Sequence, residues 1–143
     1  MKKFLTIVLA TFFLTACSEK THESYTFVGE SEHWKAEFVY DVSETWGENN
    51  GKMNYSNEDE YMLMVTYKGA KSDLASIKNF SYGYETGSSS GSNTIQFTEP
   101  VTQTVFKLGG NAKNSARIYA DNIITVNVQG DDFEETFELN IEK

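Results

Sequence analysis

Apolar and polar residues alternate with a period of two in segment after segment of this chain, and this alternation restricts the possible folds most strongly. In residues 33–42 (HWKAEFVYDV) every second position is apolar, from Trp34 to Val42. Such a period places successive side chains on opposite faces of a half-buried β-strand. The same alternation, or a fully apolar run, recurs at 61–68, 80–84, 95–97, 124–128 and 133–141. The sequence therefore predicts an all-β chain.

Turn signals separate these segments. Asn50-Gly51, Gly109-Gly110-Asn111 and residues 129–132 (QGDD) are predicted turns, and residues 87–92 (GSSSGS) are predicted to form a flexible loop. About eight short antiparallel strands with no helical stripe favour an immunoglobulin-like β-sandwich. A small lipocalin-like β-barrel, which can hold one small ligand, is the alternative.

The first seventeen residues (MKKFLTIVLATFFLTAC) have a positively charged start, an apolar stretch and small residues before the single cysteine of the chain, Cys17. This is the layout of a secretory signal peptide. Its apolar run, from Phe4 to Leu14, is much shorter than the roughly 20 residues that a transmembrane helix needs. The segment therefore predicts export across a membrane rather than a membrane-spanning helix.

Leu14, Ala16 and Cys17 resemble the lipobox of bacterial lipoproteins, in which a Leu and a small residue lie three and one positions before an invariant cysteine. The resemblance implies a diacylglyceryl group on the Cys17 sulfur, cleavage that removes residues 1–16, and an N-terminus carrying acyl chains of the palmitate type. It places the protein on the extracytoplasmic face of the cell membrane. An ordinary signal peptide with an incidental or buried cysteine is the alternative.

The predicted mature chain has two parts. Residues 17–23, which contain the polar run SEKTHE, are predicted to be a lipid-attached flexible tether, and residues 24–143 a single β domain. The full chain has a net charge of −9, and loss of Lys2 and Lys3 makes the mature chain more negative. An acidic protein of this kind is not expected to bind nucleic acid.

Residues that could carry chemistry are few. His22 and His33 are the only histidines, and neither a zinc-ligand spacing nor a GxSxG nucleophile motif is present. Acidic runs at 57–60 (NEDE) and 131–135 (DDFEE) are interpreted as solvated turn or edge residues, with a cation site as the alternative. We therefore predict no enzyme activity, no catalytic residues, no metal site and no cofactor.

Three aromatic residues are candidates for binding a ligand or partner. Trp46 lies beside glycine and asparagine residues in a predicted loop, and Tyr82 and Tyr84 lead towards the GSSSGS run of residues 87–92. Aromatic side chains at loop edges bind sugars or protein partners. Filling of the β core is the alternative for all three.

Residues 29–35 (GESEHWK) resemble the GES-x-x-W opening of small uncharacterised lipoproteins and secreted proteins of Bacillus-type Gram-positive bacteria. In those proteins the motif precedes a strand, a Ser/Gly-rich middle and a C-terminal hairpin, as it does here. The resemblance implies an all-β lipoprotein outside the cytoplasmic membrane and implies no activity. The residues themselves predict Trp34 as a core anchor. Lipocalins carry Gly-x-Trp, which is not matched because Gly29 and Trp34 are five positions apart.

Two functions remain open from the sequence. The first is a non-catalytic interaction module of the cell envelope, attached to the membrane through Cys17 and contacting an envelope protein. The second is a lipocalin-like binding protein for a small apolar ligand, a sugar or a cation.

Overall fold

The computed structural model describes residues 17–143, and the predicted signal segment lies outside this range. It confirms the predicted all-β fold with eight antiparallel strands. A short 3₁₀ turn, Lys71–Leu74, follows the third strand. The strands are β1 (Glu19–Glu30), β2 (Trp34–Asn49), β3 (Lys52–Tyr67), β4 (Asn79–Glu85), β5 (Ser90–Gln96), β6 (Val105–Lys113), β7 (Ile124–Gln129) and β8 (Glu134–Ile141).

All eight strands belong to one sheet with the order β5-β4-β7-β8-β1-β2-β3-β6. Strand β8 joins the two halves, because it pairs with β7 along its length and with β1 at Phe27 and Val28. The sheet curls until β4 approaches β6, where the Tyr82 hydroxyl donates a hydrogen bond of 2.7 Å to the Lys107 carbonyl oxygen. The result is a nearly closed, barrel-like sheet, which is consistent with both predicted architectures.

Aromatic and aliphatic side chains fill the interior of this sheet. Trp34, 1% exposed, lies among them, and its ring stacks on Phe80 at 5.4 Å and on Phe133 at 6.0 Å. These rings come from three different strands or turns, so Trp34 ties β2 to the opposite half of the sheet. The prediction that Trp34 anchors the core is confirmed.

The β2–β3 hairpin is longer than the core that it covers. Each strand has 16 residues, and the turn residues Asn50 and Gly51 have φ angles of 52° and 74°. Positive φ at both positions is typical of a type I′ turn, which confirms the predicted Asn-Gly turn. Along the inner face of β2, Val42 is buried, Glu44 is half-buried and Trp46 is exposed. The end of the hairpin therefore projects past the core.

Four predicted loops or turns are strands in the structure, and one of them is the predicted loop around Trp46, which lies within β2. Residues 57–60 lie within β3, residues 109–111 within β6, and residues 90–92 of the GSSSGS run begin β5. The glycines of β6 have a packing role, because a β-carbon on Gly110 would come within 2.8 Å of the Tyr61 ring. Here glycine marks a close approach of a side chain rather than a turn.

The predicted flexible tether is also a strand. Residues 19–23 form the first part of β1 and pair with residues 42–46 of β2. The projecting part of β2 offers backbone N–H and C=O groups that this segment satisfies. The folded β domain therefore begins at Glu19, two residues after Cys17, rather than at Ser24.

Candidate functional site

The register of β1 against β2 places Cys17 at the end of the molecule where the hairpin projects. Glu19 pairs with Trp46, and the exposed Cys17 lies two residues before Glu19. Strand β1 then runs away from this end towards the core. The predicted lipid-attachment site and the candidate binding residue Trp46 therefore lie at the same end, which we call the anchored end after the predicted attachment.

Three exposed apolar residues lie together on one face of the hairpin at the anchored end. Trp46 is 43% exposed, Tyr55 44% and Met53 68%. Trp46 pairs with Tyr55 across the hairpin, and their ring centroids lie 4.5 Å apart. Met53 pairs with Glu48 two rows nearer the turn, and this even spacing puts it on the same face as Tyr55. We call Trp46, Met53 and Tyr55 the hairpin-tip cluster, and such exposed apolar groups typically mark contact surfaces.

Sequence reasoning identified Trp46 but missed Met53 and Tyr55. A signal for both was present, because a two-residue turn at Asn50-Gly51 fixes the register of the hairpin. That register pairs Asn49 with Lys52 and, three rows further, Trp46 with Tyr55. The turn and the period of two together specify the whole cluster.

The segment between β6 and β7 packs against the inner face of the β2–β3 hairpin. Its Arg117 guanidinium forms ion pairs with Glu23 of β1 and Glu44 of β2, and donates a hydrogen bond of 3.0 Å to the Tyr25 hydroxyl. The Arg117 side chain is only 12% exposed. One cation thus joins β1 and β2 just inside the hairpin-tip cluster and fixes the direction in which the hairpin projects.

Asn57 and Asp59, in the acidic run at 57–60, also connect the β2–β3 hairpin to the segment between β6 and β7. The buried Asn57 side chain donates to the Ser115 carbonyl oxygen at 3.0 Å and accepts from the Ser115 N–H at 3.1 Å. Asp59 accepts hydrogen bonds from the Ser115 and Tyr40 hydroxyls. Burial raises the pKa of Tyr40, and the Asp59 carboxylate raises it further.

Among residues 17–143, no group of three potential metal-ligating side chains occurs.

The structure places Tyr82 and Tyr84 inside the sheet. They are 3% and 7% exposed, and the Tyr84 ring packs against Tyr61 at 5.0 Å. The Tyr82 hydroxyl holds β4 against Lys107 of β6, and burial raises the pKa of Tyr84. The core-filling alternative therefore describes both tyrosines. Of the three predicted binding aromatics, Trp46 is the one whose ring is exposed.

A shallow groove lies on the outward face of β1, β2 and β3. It has a volume of about 570 Å³ and is lined in part by Val28, Lys35, Met64 and Thr66. Met62, 41% exposed, lies on the same face of β3. The groove is open to solvent and combines aliphatic, thioether and charged groups.

A polar cluster of Ser31, His33 and Glu135 lies at the other end of β1 and β2. His33 Nδ1 lies 2.5 Å from Glu135 Oε1, and the Ser31 hydroxyl and His33 N–H donate to Oε2. Ser31 is hydrogen-bonded to the carboxylate and to the Trp34 carbonyl, whereas a nucleophile would be bonded to the imidazole. Sequence reasoning missed this cluster, because nothing local links His33 to a residue more than a hundred positions away.

The pKa of Glu135 predicts an acid-dependent loss of stability. Burial would raise this pKa, but the hydrogen bonds from Ser31 and His33 outweigh burial and lower it. A lowered pKa in the folded state stabilises the fold above the unfolded-state pKa, and this stabilisation is lost as the pH falls through the folded pKa. We expect the urea midpoint of Glu135→Gln to fall less steeply than that of the wild type between about pH 6 and pH 3, across the ordinary glutamate pKa of about 4.3.

Glu138→Gln, on the same strand, is the matched control for this titration. Glu138 is exposed, so this variant should keep the steep pH dependence of the wild type. Parallel pH profiles for wild type and Glu135→Gln would contradict the stabilising role of the carboxylate.

The anchored end is thus the place where exposed aromatic residues and the single cysteine of the chain coincide. Within residues 17–143, no helix combines the length and the apolar character needed to cross a bilayer. Searches with the chain against family models, curated proteins and solved structures find no match.

Proposed function

We propose that the protein is a lipid-anchored, non-catalytic interaction module on the extracytoplasmic face of the cell membrane. In this proposal residues 1–16 direct export, the Cys17 sulfur carries the lipid, and the β domain contacts a component of the membrane or envelope. The register of β1 with β2 carries the proposal, because it brings the exposed Trp46 and Met53 to the anchored end. The resemblance to small lipoproteins with a GES-x-x-W opening supports the same function.

The attachment would be short. Only Ser18 lies between Cys17 and Glu19, and the step of two residues from Cys17 to Glu19 spans at most about 7 Å. Each buried methylene of an acyl chain contributes about 0.8 kcal/mol, and two or more chains give lasting attachment. A lipid on Cys17 would therefore keep the hairpin-tip cluster at the membrane surface.

The polar cluster at the far end supports a non-catalytic role. Ser31 and His33 both direct their hydrogen bonds to Glu135, and these bonds join the β1–β2 turn to the start of β8. The hydrogen bonds of the Glu135 carboxylate thus connect the β1–β2 turn to β8. A nucleophilic mechanism would instead need the imidazole beside the serine hydroxyl.

Cys17→Ser is expected to move the protein out of the membrane fraction or to leave it as an unprocessed precursor. Serine lacks the thiol to which the lipid is transferred, and the chain has no other cysteine. Cell fractionation and intact mass measurement test this result. Ser18→Ala, which changes the next residue and keeps the thiol, should remain lipidated and membrane-bound. A Cys17→Ser protein that stays in the membrane fraction and has the processed mass of the mature chain would rule out the anchor.

Binding of a small apolar ligand, a sugar or a cation is a second candidate function. The groove beside Val28 and Met64 favours its apolar version, because thioether and aliphatic side chains adapt to varied apolar shapes. Native mass spectra of the purified protein, recorded with and without a chelator, test it. An added mass that survives chelation would indicate an organic ligand, and one that is lost would indicate a cation. The bare protein mass in both spectra would count against this function.

A further inference from the structure

We propose that the hairpin-tip cluster, Trp46, Met53 and Tyr55, lies in the interfacial region of the lipid bilayer and forms a second membrane contact beside the lipid on Cys17. This inference rests on the proposed function, because the lipid brings the cluster to the bilayer. It adds the partner of that surface, which is lipid rather than protein.

The strand register determines how close the cluster lies to the anchor. Glu19 pairs with Trp46, so continuing the register by two residues brings Cys17 level with Glu48. On its other side Glu48 pairs with Met53. Neighbouring strands lie about 4.8 Å apart, so two strand spacings, about 10 Å, separate the backbone of Cys17 from that of Met53. A bilayer that holds acyl chains at Cys17 is therefore within reach of the cluster.

The side chains in the cluster suit the bilayer interface. Tryptophan and tyrosine are enriched at the level of the lipid headgroups, where the ring is buried and its polar group stays wet. Met53, the most exposed of the three and the nearest to the turn, adds a flexible apolar chain. Trp46 and Tyr55 already pack against each other, so little side-chain entropy is lost when they enter the interface.

The charges at the anchored end permit this contact although the whole chain is acidic. A net negative charge is repelled by anionic lipids. Two acidic and two basic residues balance at this end, namely Glu19, Glu48, Lys20 and Lys52. The Glu23 and Glu44 carboxylates are paired with Arg117. These seven residues together carry a net charge of −1, so most of the acidic excess of the protein lies elsewhere on its surface.

The short attachment favours lipid over a protein as the occupant. The step from Cys17 to Glu19 spans at most about 7 Å, whereas a single α-helix with its side chains is about 10 Å wide. A protein partner therefore has too little room between the hairpin tip and the membrane. The bilayer itself is the partner that this spacing allows.

A thiol placed in the cluster tests the inference in the full-length, lipidated protein. The chain has one cysteine, which the lipid occupies, so Met53→Cys creates the only free thiol for an environment-sensitive fluorophore. Met62→Cys is the matched control, because it is also an exposed methionine of β3, about 30 Å further along the strand. Both proteins are reconstituted into vesicles of phosphatidylcholine and phosphatidylglycerol, with or without brominated acyl chains.

We expect the label at position 53 to shift to shorter wavelength and to be quenched by brominated lipid several-fold more than the label at position 62. Trp46 gives an unlabelled readout, because Trp34 is buried and shielded from the lipid. Quenching of tryptophan emission should therefore be lost in Trp46→Phe.

The outcomes separate the two proposals. Equal, weak quenching at positions 53 and 62 in a chain whose mass shows lipid on Cys17 would overturn the membrane contact and leave the anchor intact. The label at position 53 could be exposed to water in vesicles but shielded from water in native membranes. This result would assign the surface to a protein and overturn the inference. A chain whose mass shows no lipid on Cys17 would overturn both proposals.

Discussion

Trp34→Ala is expected to lower the free energy of unfolding by about 3–5 kcal/mol, the range for removing a large aromatic side chain from a packed core. Trp34 is 1% exposed and packs between Phe80 and Phe133, so its removal leaves a cavity between the two halves of the sheet. Domains of this size have a total stability of about 5–15 kcal/mol. Urea unfolding followed by circular dichroism measures the loss.

The second tryptophan of the chain is the matched control. Trp46 is 43% exposed, and its ring contact is with Tyr55 on the projecting hairpin. Trp46→Ala should therefore cost about 0.2–1 kcal/mol, the contribution of a cross-strand aromatic pair, because no core cavity is created. Equal losses for the two variants would contradict the division of the tryptophans into a core anchor and a contact residue.

Gly29→Ala is expected to destabilise the protein by about 1–3 kcal/mol or more, the cost of forcing an extra atom into a packed site. A β-carbon at this position would overlap the Glu138 carbonyl oxygen and come within 2.9 Å of Leu139 Cδ2. Strands β1 and β8 pair at only two positions, Phe27 and Val28 being the β1 members. The strain therefore falls on the joint between the two halves of the sheet. Thermal unfolding measures the effect.

Gly47→Ala provides the comparison in another strand. Apart from Gly47 and its two chain neighbours, no atom lies within 4 Å of a β-carbon built at this position, so alanine fits there without strain. Replacing a strand glycine with alanine should stabilise the protein by about 0.5–1 kcal/mol, because less backbone freedom is lost on folding. If Gly29→Ala were as stable as Gly47→Ala, the close approach of β8 to Gly29 would be refuted.

Strands that cover the core were predictable, and their extensions beyond the core were not. Residues 33–42 alternate because one face of β2 is buried, and the structure has that same face inside. Residues 19–23 and 57–60 are equally extended but mostly polar, because they lie towards the projecting end of the hairpin. The alternation reports burial on one face rather than strand conformation as such. Strand segments held by backbone pairing and polar side-chain contacts therefore lack the alternation.

The candidate binding residues also divide into those whose position the sequence predicts and one whose exposure it does not determine. Tyr82 and Tyr84 have the parity of Phe80, and this parity alone predicts that they face the core with it. Trp46 also has the parity of the core residues on β2, but the core ends before it is reached. Where a core ends depends on which strands cover it, and here that depends on pairings between residues far apart in sequence. The neighbours of Trp46 along the chain therefore suggest its exposure but do not determine it.

The pairing of β1 with β2 also determines how the domain would respond to a force that pulls on Cys17. Twelve residues of β1 are paired with β2, from Glu19 at the anchored end to Glu30. Inter-strand hydrogen bonds in antiparallel pairs are perpendicular to the strands, so tension along β1 shears all of them together. If β1 were pulled sideways, the same bonds would break one after another. A pull on Cys17 along the axis of β1 would therefore meet the strongest mechanical resistance of this strand pair.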